Sequence, residues 1–101
     1  MSLTRTQAWL EKLRKHLQPA RHILLFTLPH CGACASTQKW LDTHQIHYTQ
    51  LDADKWATDL RAKGHTSAPV VIVHDRRGNQ IEAWSGHRLA KLAGLLEMRI
   101  K

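Results

Sequence analysis

Both cysteines of this 101-residue chain lie in one short segment, Cys31-Gly32-Ala33-Cys34. A helical turn brings two cysteines at this spacing within disulfide reach. The segment follows the apolar run Ile23–Phe26 and precedes a helical pattern, so Cys31 is expected at a helix N-terminus. Unpaired N–H groups and the helix dipole favour a thiolate there. We therefore predict a redox-active pair, in which Cys31 attacks a disulfide and Cys34 resolves the mixed disulfide.

Two other chemistries remain open for this cysteine pair. A static disulfide would be unusual in a reducing cytosol. A zinc or iron–sulfur site needs further ligands, and the chain has no second cysteine pair. A metal-binding module would therefore share Cys31 across a dimer interface, with His30 as a helper. In the redox interpretation, His30 either stabilises the Cys31 thiolate as an imidazolium or is a solvated loop histidine.

Size and composition indicate a single globular domain. The chain is 43% hydrophobic and 23% charged, and its apolar runs are too short for a transmembrane span or a secretory signal. We expect a cytoplasmic monomer with no membrane partner. The net charge of +7 comes from scattered basic residues with no run longer than two. This scatter favours general electrostatic steering over nucleic-acid binding.

Hydrophobic periodicity predicts alternating helices and strands around the cysteine pair. We expect helices over residues 3–17, 34–43, 54–63 and 89–100, and strands over residues 21–27, 47–52, 70–73 and 80–84. Asp54 is the expected cap of the third helix. The closing helix is marked by apolar residues at helical spacing: Leu89, Leu92, Ala93, Leu96 and Ile100. A parallel strand pair followed by a hairpin gives a mixed sheet with helices on both faces.

Three motifs resemble the thioredoxin superfamily, and most closely its glutaredoxin and NrdH-redoxin branch. Phe26–Cys34 resembles the strand-to-helix redox motif, and Ser67–Val71 resembles the loop that carries a cis-proline. Trp84–Arg88 is similar to the Trp-Ser-Gly-Phe segment of NrdH-redoxins. The resemblance implies an α/β thioredoxin fold, with a four-stranded mixed sheet flanked by helices. We expect this domain over residues 21–101, after an added amphipathic helix within residues 1–20.

The resemblance also implies a dithiol–disulfide oxidoreductase with no dissociable cofactor. A cis bond before Pro69 would present the Ala68 backbone to a substrate chain. Ser85 and Gly86 are implied in substrate binding, whereas Ser67 either lines the groove or is an ordinary loop residue. The implied partners are protein disulfides, ribonucleotide reductase among them. Thioredoxin reductase or glutathione would supply the electrons.

Several positions depart from the glutaredoxin pattern. Leu28 stands where glutaredoxins commonly carry Lys or Arg, and Ser85-Gly86-His87 replaces the Gly-Gly-x-Asp segment that holds glutathione. His87 also replaces the phenylalanine of NrdH-redoxins. Arg88 and Lys63 are the cations that would partly compensate. These losses predict that thioredoxin reductase recharges the protein at least as well as glutathione does.

Overall fold

The computed structural model describes residues 22–99 of the chain. The predicted helix within residues 1–20 lies outside the described residues. The elements are β1 (His22–Thr27), α1 (Gly32–Thr43), β2 (Thr49–Asp52), α2 (Ala57–Ala62), β3 (Val70–His74), β4 (Gln80–Ser85) and α3 (Leu89–Arg99). None of these described helices is long or apolar enough to cross a membrane.

The four strands form one mixed sheet in the order β2-β1-β3-β4. The β1–β2 pair is parallel, and β3 pairs antiparallel with both β1 and β4. Phe26, near the end of β1, lies opposite Val70 at the start of β3. The loop that leaves β1 toward the cysteines and the loop that enters β3 therefore lie at the same end of the strands, in the middle of the sheet. The predicted fold class is confirmed.

The core consists of two apolar clusters on opposite faces of the sheet. Every residue of β1 is buried, which explains why its centre, Ile23–Phe26, is continuously apolar instead of alternating. One face packs against α1 and α3 through residues that include Ile23, Leu25, Leu41, Val71, Trp84, Leu92 and Leu95. The other packs against α2 through Leu24, Phe26, Leu60, Val70 and Ile72. Burial of each large apolar side chain contributes about 1.5–3 kcal/mol to the stability of the fold. The core therefore holds in place the strand ends that carry the site.

The starts of two helices differ from the prediction. The α2 helix begins at Ala57, with Trp56 as its N-cap residue and no side-chain cap bond, so the prediction of Asp54 as cap was wrong. The backbone N–H of Asp54 instead donates to Asp52 Oδ1 at 2.9 Å, and this local turn delays the helix. The α1 helix begins two residues early, at Gly32, because Cys31 itself is the cap.

The buried stripe of α3 also differs in part from the prediction. Leu92 and Leu95 are fully buried, whereas Ala93 is exposed and Leu89 is 58% exposed. A turn of 3.6 residues permits either i+3 or i+4 spacing, and the larger Leu95 occupies the core in place of Ala93. Spacing alone does not show where a helix leaves the core, and the first two residues of α3, Leu89 and Ala90, lie outside it.

Candidate active site

Cys31 lies at the N-cap of α1, directly after the loop that leaves β1. Its backbone is extended, with φ −104° and ψ 106°. The backbone N–H of Cys34 donates to Cys31 Sγ at 3.1 Å, and that of Ala35 donates to the Cys31 carbonyl oxygen at 3.1 Å. The sulfur therefore satisfies one of the N–H groups that a helix start leaves unpaired. The predicted position of Cys31 at a helix N-terminus is confirmed.

The two cysteines form a disulfide, but their sulfurs occupy different environments. Their Cα atoms lie 5.2 Å apart, as the predicted disulfide reach requires. Cys31 is partly exposed, whereas Cys34 is only 2% exposed and lies on the inner side of α1. An incoming sulfur can therefore approach Cys31 and not Cys34.

An open groove, here called the cysteine groove, surrounds the disulfide with a volume of about 590 Å³. It is lined by Thr27, Leu28, His30, Cys31, Gly32, Cys34, Ala35, Gln38 and Gln50. Gln50 Nε2 donates to Thr27 Oγ1 at 2.9 Å, which ties the side chains of β1 and β2 together in the groove wall. His30 is exposed and has a left-handed backbone, with φ 58°. Its role toward the Cys31 thiolate stays a prediction.

A second cavity, here called the loop pocket, adjoins the cysteine groove and has a volume of about 160 Å³. It is lined by Leu28, Ala53, Asp54, Ala57, Leu60, Arg61, His65, Thr66, Ser67, Ala68 and Val70. Leu28 belongs to both cavities, so the pocket that Ser67 and Ala68 line borders the cysteine groove. The peptide bond between Ala68 and Pro69 is cis, as predicted. Small and apolar residues form most of the pocket wall.

Ser85 and Gly86 are not part of the described lining of either cavity. They instead hold the loop that carries Pro69. Ser85 Oγ and His65 Nδ1 share a hydrogen bond at 2.9 Å, and the Gly86 N–H donates to the Pro69 carbonyl oxygen at 2.7 Å. Gly86 has φ +90°, a conformation that favours glycine. Their predicted direct contact with substrate stays a prediction.

Comparison with known proteins agrees with this geometry. A family model described as Glutaredoxin matches residues 23–77, more than half of the chain. The chain belongs to the glutaredoxin family. This glutaredoxin-family protein is similar to the solved NrdH-redoxin of Escherichia coli at 28% identity, with a TM-score of 0.58 over 66% of this chain and 84% of that chain. No curated protein sequence matches this chain.

Solved thioredoxins share the fold of this glutaredoxin-family protein. Trichomonas vaginalis thioredoxin is 19% identical, with a TM-score of 0.66 over 100% of this chain and 95% of that chain. Schistosoma mansoni thioredoxin is 18% identical, with a TM-score of 0.65 over 88% of each chain. At this identity the likeness shows the thioredoxin fold alone. The fold, the family and the Cys31–Cys34 disulfide together make the protein a thiol–disulfide oxidoreductase.

Two ionisable side chains that line the loop pocket, Arg61 and His65, were not among the predicted site residues. Burial lowers the pKa of His65, and the nearby Lys63 charge lowers it further, so its imidazole is neutral at neutral pH. Burial also lowers the pKa of Lys63, while Asp59 opposes that shift. Arg61 and Asp54 both line the loop pocket. No local pattern marks either side chain, because α2 and the Pro69 loop meet only in the folded chain.

The metal-binding alternative requires a group of side chains that could hold a metal ion. Within residues 22–99, no three His, Cys, Asp or Glu side chains are grouped so that they could hold a metal ion. The alternative with Cys31 shared by two copies would need ligands from a second chain, and it stays a prediction. Visible absorbance of the freshly purified protein distinguishes an iron–sulfur module from a dithiol enzyme.

We expect the two cysteines of this glutaredoxin-family protein to alkylate very differently after reduction. Cys31 is accessible at a helix N-terminus and should react with iodoacetamide at least ~100-fold faster than buried Cys34. Mass spectrometry of fragment ions from the labelled segment measures both rates, and labelling in denaturant is the control in which both react. Equal rates in the native reduced protein would contradict the assignment.

Proposed function

We propose that this protein reduces disulfide bonds in other proteins, with Cys31 as the nucleophile and Cys34 as the resolving cysteine. The supporting observation is the asymmetry of the pair. Both cysteines line the open cysteine groove, but Cys31 is partly exposed there, whereas Cys34 is only 2% exposed and is bonded to the Cys31 sulfur. A nucleophile must meet a large partner, and a resolving thiol must meet only the mixed disulfide.

The cycle balances two electrons and two protons. The Cys31 thiolate attacks one sulfur of the substrate disulfide, forming a mixed disulfide, and the departing substrate sulfur takes up a proton. The Cys34 thiolate then attacks Cys31 Sγ, and the second substrate sulfur leaves and is protonated. The substrate gains two thiols, while the enzyme gains the Cys31–Cys34 disulfide. The pair itself is the redox group, so the cycle uses no dissociable cofactor.

The substrate segment would lie along the loop before β3. Ala68 has a small side chain and lines the loop pocket, so its backbone is open to an extended peptide. Ser67 lines the same pocket, while Ser85 and Gly86 hold the loop from behind. The mostly apolar wall of the pocket suits a side chain next to the substrate cysteine. Clients would be protein disulfides, and ribonucleotide reductase is the candidate that the NrdH-redoxin resemblance suggests.

The site is poorly equipped to bind the two carboxylates of glutathione. Desolvating a carboxylate requires positioned cations or N–H donors. Leu28 supplies no charge between the two cavities, and Arg61 already faces a pocket that contains Asp54. We therefore propose that thioredoxin reductase supplies electrons at least as well as glutathione. A reducing cytoplasm would be the matching location, with the protein acting as a monomer.

The test measures NADPH oxidation with insulin as the disulfide substrate. Thioredoxin reductase in one arm is compared with glutathione plus glutathione reductase in the other. Turnover in the first arm should equal or exceed that in the second. One charge-assisted hydrogen bond is worth about tenfold in affinity, so Leu28→Lys should shift the ratio toward glutathione by ~10-fold.

Leu28→Met is the matched variant, since it changes shape without adding charge, and it should leave the ratio of the two arms near its original value. Efficient turnover with glutathione alone would contradict the proposed reductant. Absence of insulin reduction in both arms would contradict the proposed function itself.

A further inference from the structure

The loop between β4 and α3 is hydrogen-bonded to both halves of the candidate site. The Gly86 N–H donates to the Pro69 carbonyl oxygen at 2.7 Å. In the next residue, His87 Nδ1 shares a hydrogen bond with Thr37 Oγ1 at 2.9 Å. Pro69 belongs to the loop proposed to bind the substrate backbone, and Thr37 lies three residues after Cys34 in α1. Two successive residues therefore join the substrate loop to the cysteine helix.

The bond between Thr37 and His87 is buried at its Thr37 end. Thr37 is 0% exposed, and His87 is only partly exposed. Water competes only weakly for a buried hydroxyl. Loss of the bond would therefore leave Thr37 Oγ1 buried without this partner. The bond spans 50 residues of sequence, so it constrains tertiary geometry and not local conformation.

The two bonds come from adjacent residues, Gly86 and His87, so they restrict the conformation of a very short segment. Gly86 sits at φ +90°, so the chain turns sharply between the residue that holds Pro69 and the residue that holds Thr37. The preceding Trp84 is buried in the core on the α1 side of the sheet. The strand end is thus anchored in the core, and the bond from His87 joins the loop that follows it to α1.

We infer that His87 is a positioning residue, which acts through Thr37 to hold the Ala68–Pro69 loop in register with Cys31 and Cys34. This inference rests on the proposed function, in which that loop binds the substrate backbone. A peptide disulfide must contact the loop and the Cys31 sulfur together. A small aromatic disulfide needs the sulfur alone. Misplacing the loop should therefore weaken peptide capture and spare the reactivity of Cys31.

The test compares KM and kcat for a disulfide-bonded peptide with the rate of reaction with dithionitrobenzoate. Thr37→Val preserves shape and removes the oxygen, and His87→Leu removes the ring nitrogen. Both should raise the KM for the peptide about 5- to 10-fold, the effect of one hydrogen bond, with dithionitrobenzoate rates within ~2-fold of wild type. Thr37→Ser and His87→Asn retain a polar atom at each position and should restore most of the original KM.

Thr43→Val is the matched control, because it makes the same change at an exposed position of α1. Thermal unfolding of each variant separates loss of fold from loss of position, and His87→Leu alone carries the test if Thr37→Val does not fold. An unchanged KM, or an equal loss with both substrates, would overturn the positioning role. A wild-type protein that reacts with dithionitrobenzoate but reduces no peptide disulfide would instead overturn the proposed function.

Discussion

Replacing Cys31 with serine is expected to abolish disulfide reduction, lowering kcat/KM by ~10³-fold or more. A serine hydroxyl is not ionised at neutral pH and cannot exchange with a disulfide. The cap geometry is retained in kind, since a serine oxygen is also an acceptor for the Cys34 N–H. The loss should therefore appear in insulin reduction and not in thermal unfolding of the two reduced proteins.

Cys34→Ser should behave differently from Cys31→Ser. The first attack would still occur, so mixed disulfides should accumulate on Cys31 as a mass increase that a reducing agent removes. Both variants are assayed without glutathione, because a glutathione-dependent monothiol cycle can survive the loss of Cys34. Ala90→Ser is the matched control, as it introduces the same hydroxyl on the exposed start of α3. Full turnover by Cys31→Ser would refute its role as nucleophile.

The second large effect is a loss of stability in mild acid, caused by His74. This side chain is 0% exposed, and neither ring nitrogen has a hydrogen-bond partner within the described structure. Burial lowers the pKa of His74, the nearby His22 and Lys63 lower it further, and Asp75 opposes them. Protons therefore bind the unfolded histidine, with pKa about 6.5, more readily than the folded one.

The sign of the pH effect follows from that order of affinities. The stability linked to the neutral form of His74 is fully present above pH ~6.5. As the pH falls, the free energy of unfolding decreases by up to about 1.4 kcal/mol per pH unit. The decrease ends once the pH is below the lowered folded pKa. Urea unfolding at pH ~7.5 and ~5.5 measures this loss, to which His65 adds in the same direction.

His74→Leu should reduce the pH dependence of the unfolding free energy. It should also raise stability at neutral pH by about 1–3 kcal/mol, because an unpaired buried polar group is replaced by an apolar one. His47→Leu makes the same change at an exposed histidine, and it should leave the pH dependence as in wild type. If His74→Leu retained the full wild-type dependence on pH, the effect would have to come from other groups.

The parts of this protein that sequence could predict are those set by local pattern. The buried strand Val70–His74 and the position of Cys31 near a helix N-terminus follow from apolar runs and spacing, although the cap itself was not predicted. The cis bond at Pro69 followed from resemblance, since a lone proline carries no such signal. By contrast, the pairs Thr37–His87 and His65–Ser85 join residues 50 and 20 positions apart. Their polar types are common on surfaces, so nothing local indicates that they meet.

The errors in prediction have a more local origin. Asp54 has the right residue type for a helix cap, but a competing carboxylate two residues earlier engages its N–H. Leu89 has the right spacing for the core, but it is the first residue of α3 and is 58% exposed. In both cases the residue type or spacing was suitable, but more than one local arrangement satisfied the pattern, and the pattern alone did not choose between them.

The sulfur that would do the chemistry is also the sulfur that receives the Cys34 N–H at the start of α1. The acceptor of that hydrogen bond therefore changes chemically at every stage of turnover, from disulfide to thiolate to mixed disulfide. The Cys34 amide proton is consequently a built-in reporter, whose NMR shift and exchange rate follow the redox state without any added label. A thiolate is the strongest acceptor of the three. The first turn of α1 should therefore be most stable when the enzyme is reduced and Cys31 is a thiolate.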